Sequence, residues 1–253
     1  MKSKKLRILA DYHTHTLYSR NDHGKSTIEE NVEEAINMGL KEIFITDHGP
    51  GHLFYGIERN KLKEIRKTID ELNEKYKGKI KVKMGVEANV VDYNGEIDLK
   101  PEEIEVFDII NVGYHNGVKF KNIKSFWNYF IMNFLAKFSS KIRKNIISKN
   151  TDAMIKIVEK YPIFMITHPS DKIEMDIEKL AKACAKKGTY LEINSSHGHL
   201  SVEELNIAKK TGCKFTVGSD AHRASRVGKV EDSLNRIKEA NLDIDDVVNV
   251  DFE

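Results

Sequence analysis

The chain has 253 residues, enough for one barrel-sized domain or two small ones with a substantial core. An apolar fraction of 40% and a charged fraction of 32% suit a soluble protein, and a net charge of +2 is too small to imply a nucleic-acid or membrane partner for the chain as a whole. Cys184 and Cys213 are too few for a disulfide framework and stand outside any Cys-x-x-Cys pair, so they read as buried free thiols in a reducing cytoplasm.

In chain order, the run LRILA at 6–10 reads as a strand that leads into Asp11, His13 and His15. It is too short for a signal-peptide core, and no run of about 18 apolar residues follows to cross a membrane. Residues 27–38 open on a Thr cap with Glu three positions on, carry Val32, Ala35 and Ile36 on one stripe, and stop at Gly39. That pattern is a helix. A strand at 42–46 runs into Asp47-His48, and 60–76 repeats Leu62, Ile65, Ile69 and Leu72 at helical spacing. The strand at 80–86 stops at Glu87, Asn94-Gly95 marks a turn, and Pro101 opens a short helix. The run 106–114 stops at His115, 163–167 stops at His168, and 214–219 stops at Asp220 and His222. LEIN at 191–194 is a further strand, and helices at 151–160, 176–187, 201–210 and 231–240 complete the series.

Repeated β-α units imply a parallel sheet with helices outside, and about seven of them favour a barrel over an open sheet. No repeat, low-complexity tract or Pro/Gly linker divides the chain, so 1–253 reads as one domain. Residues 116–150 form a basic, aromatic insertion. They contain no Asp or Glu, while Phe126, Phe130, Phe134 and Phe138 recur every four residues as in an amphipathic helix. Three roles fit it: packing on the barrel or on a neighbouring subunit of a homo-oligomer, a lid over an anionic substrate, or a membrane- or nucleic-acid-binding helix.

Six strand ends carrying His, Asp or Glu at one rim make a polynuclear metal centre the leading expectation. Barrel enzymes place their active sites at that rim. The period of two puts His13 and His15 on one face, and Glu87 after an apolar stretch is costly to bury without a cation or donors. His115 and His168 also fit as core histidines, and Asp47-His48-Gly49 also fits as a turn. Imidazole and carboxylate without thiolate suit Zn²⁺, Mn²⁺ or Fe²⁺. Arg20, Lys25, Arg223 and Arg226 flank these loops and are placed to hold a phosphate. His197 and His199 follow LEIN on the same rim and are candidate substrate contacts, while His52 is left over.

The segments DYHTHTLYS (11–19), ITDHG (45–49), GVEAN and GEID (85–89, 95–98), GYH (113–115), THP (167–169), LEIN (191–194) and GSDAH (218–222) resemble the PHP family, named for polymerase and histidinol phosphatase domains. The likeness spans nearly the whole chain in the family's order. It implies a distorted (β/α)7 barrel with a trinuclear site. By that pattern His13, His15, Glu87 and Asp220 take one metal. Glu87, His115 and His168 take a second, and His23, His48 and His222 a third. The implied activity is hydrolysis of small phosphomonoesters by a metal-bridging hydroxide, with Glu87 bridging and Asp220 a proton acceptor or donor. The rival expectations are an exonuclease acting on single-stranded nucleic acid and a non-catalytic metal-binding module.

Overall fold

The structure, a computed structural model, describes residues 6–252. The expected first strand is two strands. Leu6–Ile8 (β1) pairs antiparallel with the last strand of the chain, and Ala10–Thr14 (β2) opens the main sheet, so His13 lies within a strand rather than beyond one. Helix α1 (Ile28–Asn37) is capped reciprocally by Thr27 and Glu30, and buries Ile28, Val32 and Ala35. Then come β3 (Glu42–Ile45), α2 (Leu62–Lys75) and β4 (Lys81–Asp92). Strand β4 continues well past Glu87, because residues 88–92 are buried as well, and the left-handed Gly95 (φ +91°) turns it back into β5 (Glu96–Ile97).

Helix α3 (Pro101–Ile104) and β6 (Ile109–Gly113) lead to the insertion, which is not one amphipathic helix. It holds α4 (Ile123–Phe126), a π-helical turn (Trp127–Met132) and α5 (Asn133–Leu135). Asn133 Nδ2 donates to the carbonyls of Asn128 and Tyr129 at 2.9 and 3.0 Å, which accompanies the distortion of this turn. Helix α6 (Ser140–Lys160) starts 11 residues before the expected position 151. Ser139 caps it, and Ile146 is the first residue its opening half buries, so its apolar stripe is faint.

The rest alternates as expected: β7 (Ile163–Ile166), α7 (Ile177–Lys187), β8 (Tyr190–Asn194), α8 (Val202–Lys209), β9 (Phe215–Gly218) and α9 (Glu231–Glu239). The strand β10 (Val250–Phe252), which pairs with β1, lies beyond the last expected element. The parallel order is β2-β3-β4-β6-β7-β8-β9. Backbone bonds join the two ends of that order, from His15 N–H to Ala221 O at 2.8 Å and from Ala221 N–H to His13 O at 3.3 Å. At the opposite rim the Asn249 side chain donates to Ala10 O and Val217 O and accepts from Val217 N–H, at 2.7–2.8 Å. The seven strands thus form a nearly closed barrel, the distorted (β/α)7 arrangement expected. Cys184 and Cys213 are buried free thiols. Among the described residues no helix is long and apolar enough to cross a membrane.

Candidate metal centre

Glu87, from the middle of β4, is fully buried and meets imidazoles from four other segments. Its Oε1 lies 3.3 Å from His13 Nε2, 3.1 Å from His115 Nε2 and 3.0 Å from His168 Nε2. Its Oε2 lies 3.0 Å from His48 Nδ1, at an angle that makes no hydrogen bond, so both atoms are buried without a partner. Leaving a buried carboxylate oxygen unpaired costs about 1–3 kcal/mol or more. Against burial, which pushes the Glu87 carboxyl up, His115, His13 and His48 hold it well below the usual range.

Asp220, just past β9, turns Oδ1 to His15 Nε2 at 3.3 Å and to His13 Nε2 at 3.6 Å. His13 Nε2 and His15 Nε2 are 3.2 Å apart. Four atoms arranged tetrahedrally at about 2.0–2.1 Å from an ion stand about 3.4 Å from one another. The spacings of His13 and His15 to each other, to Glu87 and to Asp220, 3.2–3.6 Å, are close to that value, and His13, His15 and Glu87 group as possible ligands. Burial opposes charge on both imidazoles. For His13 the carboxylates of Glu192, Asp220 and Glu87 outweigh burial and hold the ring well above its ordinary pKa, whereas His15 falls well below.

His23, His48 and His222 also converge. His23 Nε2 lies 3.0 Å from His48 Nε2 and 2.9 Å from His222 Nε2. A ring nitrogen offers one proton or one lone pair, so only one of these contacts is a normal hydrogen bond, and His15 groups with His48 and His222 as possible ligands. His168 and Asp220 themselves have positive φ (27° and 52°), an uncommon backbone for non-glycine residues and one concentrated at functional sites.

Several supporting groups lie outside the expectations. Glu192, fully buried in β8, accepts from His13 Nδ1 at 2.8 Å with one oxygen and from His168 N–H at 2.7 Å with the other. Gly218 makes room for it, since a Cβ there would stand 2.1 Å from Glu192 Oε1. Asn89 Oδ1 holds His115 Nδ1 at 2.8 Å, and Asp98 holds Asn89 through both its backbone and side-chain N–H groups. Such outer partners fix the tautomer and orientation of a ligating imidazole. The sequence signal was available in Glu192: a carboxylate between the apolar Leu191 and Ile193 of a strand, as with Glu87. Asp11 and Asp47 point elsewhere. Asp11 accepts from Ser219 and Gly228 N–H, and Asp47 from Thr16 and Ser19, so both brace the loops.

The candidate substrate residues divide. His197 lies at the rim, with Nε2 3.1 Å from Asp220 Oδ2 and Nδ1 3.3 Å from Asp171, and bonds from Asp171 and Asp220 push its pKa up to about 10. It also groups with His168 and Asp220 as a possible ligand set. Arg223 is exposed, as is Arg226. Arg20 Nε instead donates to Gly56 O at 2.5 Å, bracing the 50–57 loop. Tyr55 of that loop stacks between His23 (3.8 Å between ring centres) and His52 (4.7 Å).

A family model described as PHP domain matches residues 11–196, and one described as PHP-associated matches 203–249. A protein of Thermoanaerobacter sp. (strain X514) named "probable phosphatase" is 32% identical over 97% of this chain and 92% of its own length. Another of that name, from Tolumonas auensis, is 31% identical over 96% of this chain and 90% of its own. The solved histidinol phosphate phosphatase of Lactococcus lactis, complexed with zinc, L-histidinol and phosphate, superposes with a TM-score of 0.59 at 19% identity, covering 93% of this chain and 95% of the other.

Proposed function

Because the chain belongs to the PHP family, we propose that it is a metal-dependent phosphoesterase that hydrolyses small phosphomonoesters. The observation that carries this reading is the buried Glu87 carboxylate, shared among imidazoles from β2 and from the loops after β3, β6 and β7, with one oxygen left unpaired. The proposed ligand sets are His13, His15, Glu87 and Asp220; Glu87, His115 and His168; and His23, His48 and His222, for three ions of the Zn²⁺, Mn²⁺ or Fe²⁺ kind. Bound there, the ions would supply charge to the phosphoryl oxygens and lower the pKa of water toward neutrality.

The chain's own groups prepare that chemistry. Glu192 accepts a hydrogen bond from His13 Nδ1–H and Asn89 Oδ1 one from His115 Nδ1–H, so the Nε2 of each ring is the atom left for an ion. Asp220 turns one oxygen inward and gives the other to His197 Nε2. His197 is therefore proposed as a positively charged group at the rim that faces the phosphate, held in place by Asp171 and Asp220. Arg223, exposed beside His222, is the proposed second phosphate contact, whereas Arg20 acts through the Tyr55 loop. Since Asp220 and His222 come from the segment after residue 196, we take 1–253 as one catalytic domain.

Protein loaded with Mn²⁺ or Zn²⁺ is expected to bind up to three ions by elemental analysis and to hydrolyse p-nitrophenyl phosphate. A chelator should abolish the activity and added metal restore it. Glu87→Gln should lower turnover by at least about 10–100-fold while the circular dichroism spectrum is retained. One ion or none would sink the trinuclear assignment, and an active Glu87→Gln would remove Glu87 from the chemistry. Metal binding without any hydrolysis would support the non-catalytic module instead.

A second reading, exonuclease action on a single strand, is favoured by the surface of the insertion. Ile123, Phe126, Trp127, Phe134, Leu135 and Phe138 are exposed in a stretch without acidic residues.

A further inference from the structure

A cavity of about 850 Å³ lies between the insertion, the first half of α6 and the loop after His168. Its apolar walls are Tyr129, Phe130 and Phe134 from the insertion, Ile146 and Ile147 from α6, and Ile173 from the loop. Asp171 belongs to the same wall and stands 3.3 Å from His197 Nδ1, whose other nitrogen is 3.1 Å from Asp220. The cavity is therefore separated from the metal-centre carboxylate by a single imidazole. Asn116 and Ser170, also in the wall, follow His115 and His168 by one and two positions.

The charges in this wall largely cancel. Arg143 holds Glu174 through two bonds (2.6 and 3.0 Å), and Lys172 holds Asp171 at 2.6 Å. Lys137 is the lining cation without an ion pair among the described residues. A volume of this size suits a drug-sized body, since ligand pockets run about 300–1,000 Å³. A phosphate with a three-carbon alcohol would leave most of it empty and its aromatic walls in contact with water.

We infer that this cavity receives the alcohol half of the phosphomonoester, and that it selects alcohols with an aromatic or other bulky apolar body. The inference rests on the phosphoesterase reading for its orientation: phosphate toward Asp220 and His197, alcohol toward Phe134. Lys137 favours a body that also carries a hydrogen-bond acceptor or a negative group at its far end. The insertion thereby becomes the specificity element of the site, and its long connection after β6 is the wall of the pocket.

The test compares 1-naphthyl phosphate with glycerol 2-phosphate on Mn²⁺-loaded enzyme, for the native protein and for Phe134→Ala. Phe134 is 56% exposed, so its truncation leaves the fold in place. The native enzyme should show the lower KM for the naphthyl ester. Phe134→Ala should raise that KM about 3–10-fold, the loss of one ring contact, and the KM of the glycerol ester by a smaller factor. Direct binding of 1-naphthyl phosphate, followed by its own fluorescence, should weaken by the same factor. If neither ester is turned over, the activity reading fails, yet weakened naphthyl binding in the variant still upholds the pocket. Equal KM values for the two esters, or a Phe134→Ala effect of the same size on both, would overturn it. So would naphthyl binding that the substitution leaves unchanged.

Discussion

Glu192 joins two candidate ligands that come from different strands. One oxygen holds the ring of His13 in β2 and the other the backbone of His168 after β7, and Asn194 Nδ2 adds a third bond at 3.0 Å. A glutamine in its place keeps the volume but can accept through only one atom, so either His13 Nδ1–H or His168 N–H loses its acceptor. Glu192→Gln is therefore expected to weaken metal binding about 10–100-fold, read by competition with a coloured chelator, with the protein still folded. Unchanged affinity would reduce Glu192 to a packing residue. Eight of the nine candidate ligands were singled out because His and carboxylate at strand ends are a chemical pattern in one dimension, whereas His23, in a loop, came only from the family resemblance. Glu192 and Asn89 were not singled out because their role lies in partners 179 and 26 residues away. Arg20 shows the reverse, a cation beside a ligand loop whose guanidinium turns to the carbonyl of Gly56 instead of outward.

At the level of elements, three helices with side-chain caps formed within two residues of their expected bounds: α1 on Thr27, α7 on Asp176 and α8 on Ser201. The insertion did not follow its four-residue aromatic spacing, because its rings serve different surroundings. Tyr129 is buried at 3% exposure against the core while Phe138 stands at 76%. Folding also uses up some of its charge, since Arg143 pairs with Glu174 and Lys121 with Glu96. A strand-guiding surface would keep those cations for phosphates. Binding of single-stranded DNA or RNA is accordingly expected to be weak, and insensitive to Trp127→Ala. Were the insertion a strand guide, log K would fall with log salt by about 0.7 per phosphate contacted. Loss of a stacked base on Trp127 would then cost about 1–3 kcal/mol. A salt titration of a fluorescent oligonucleotide on both proteins separates the two readings. Steep salt dependence, together with a Trp127→Ala defect, would favour the exonuclease.

For the molecule as a whole, the site depends on bringing β2 and β9 together, the two ends of the parallel order. At the ligand-bearing rim Ala221 accepts from His15 N–H and donates to His13 O, which sets Asp220 against His13 and His15. At the other rim Asn249 closes the seam, 99% buried, satisfying Ala10 O, Val217 O and Val217 N–H at once and accepting Leu9 N–H through its own carbonyl. Neither this residue nor β10 was legible in the sequence. An asparagine past the last ligand motif has no periodicity to announce it, and a three-residue strand gains meaning only from β1, more than 240 residues away. Asn249→Ala would leave two carbonyls and one N–H without partners in a place water does not reach. The expected loss is about 2–4 kcal/mol of unfolding free energy, at an unsatisfied-group cost of about 1–3 kcal/mol each with partial relaxation. Urea denaturation measures it. Because the damage lies at the rim away from the metal centre, the folded variant should keep near-native turnover at low temperature. Lost turnover in a protein of unchanged stability would mean that Asn249 serves the site rather than the seam.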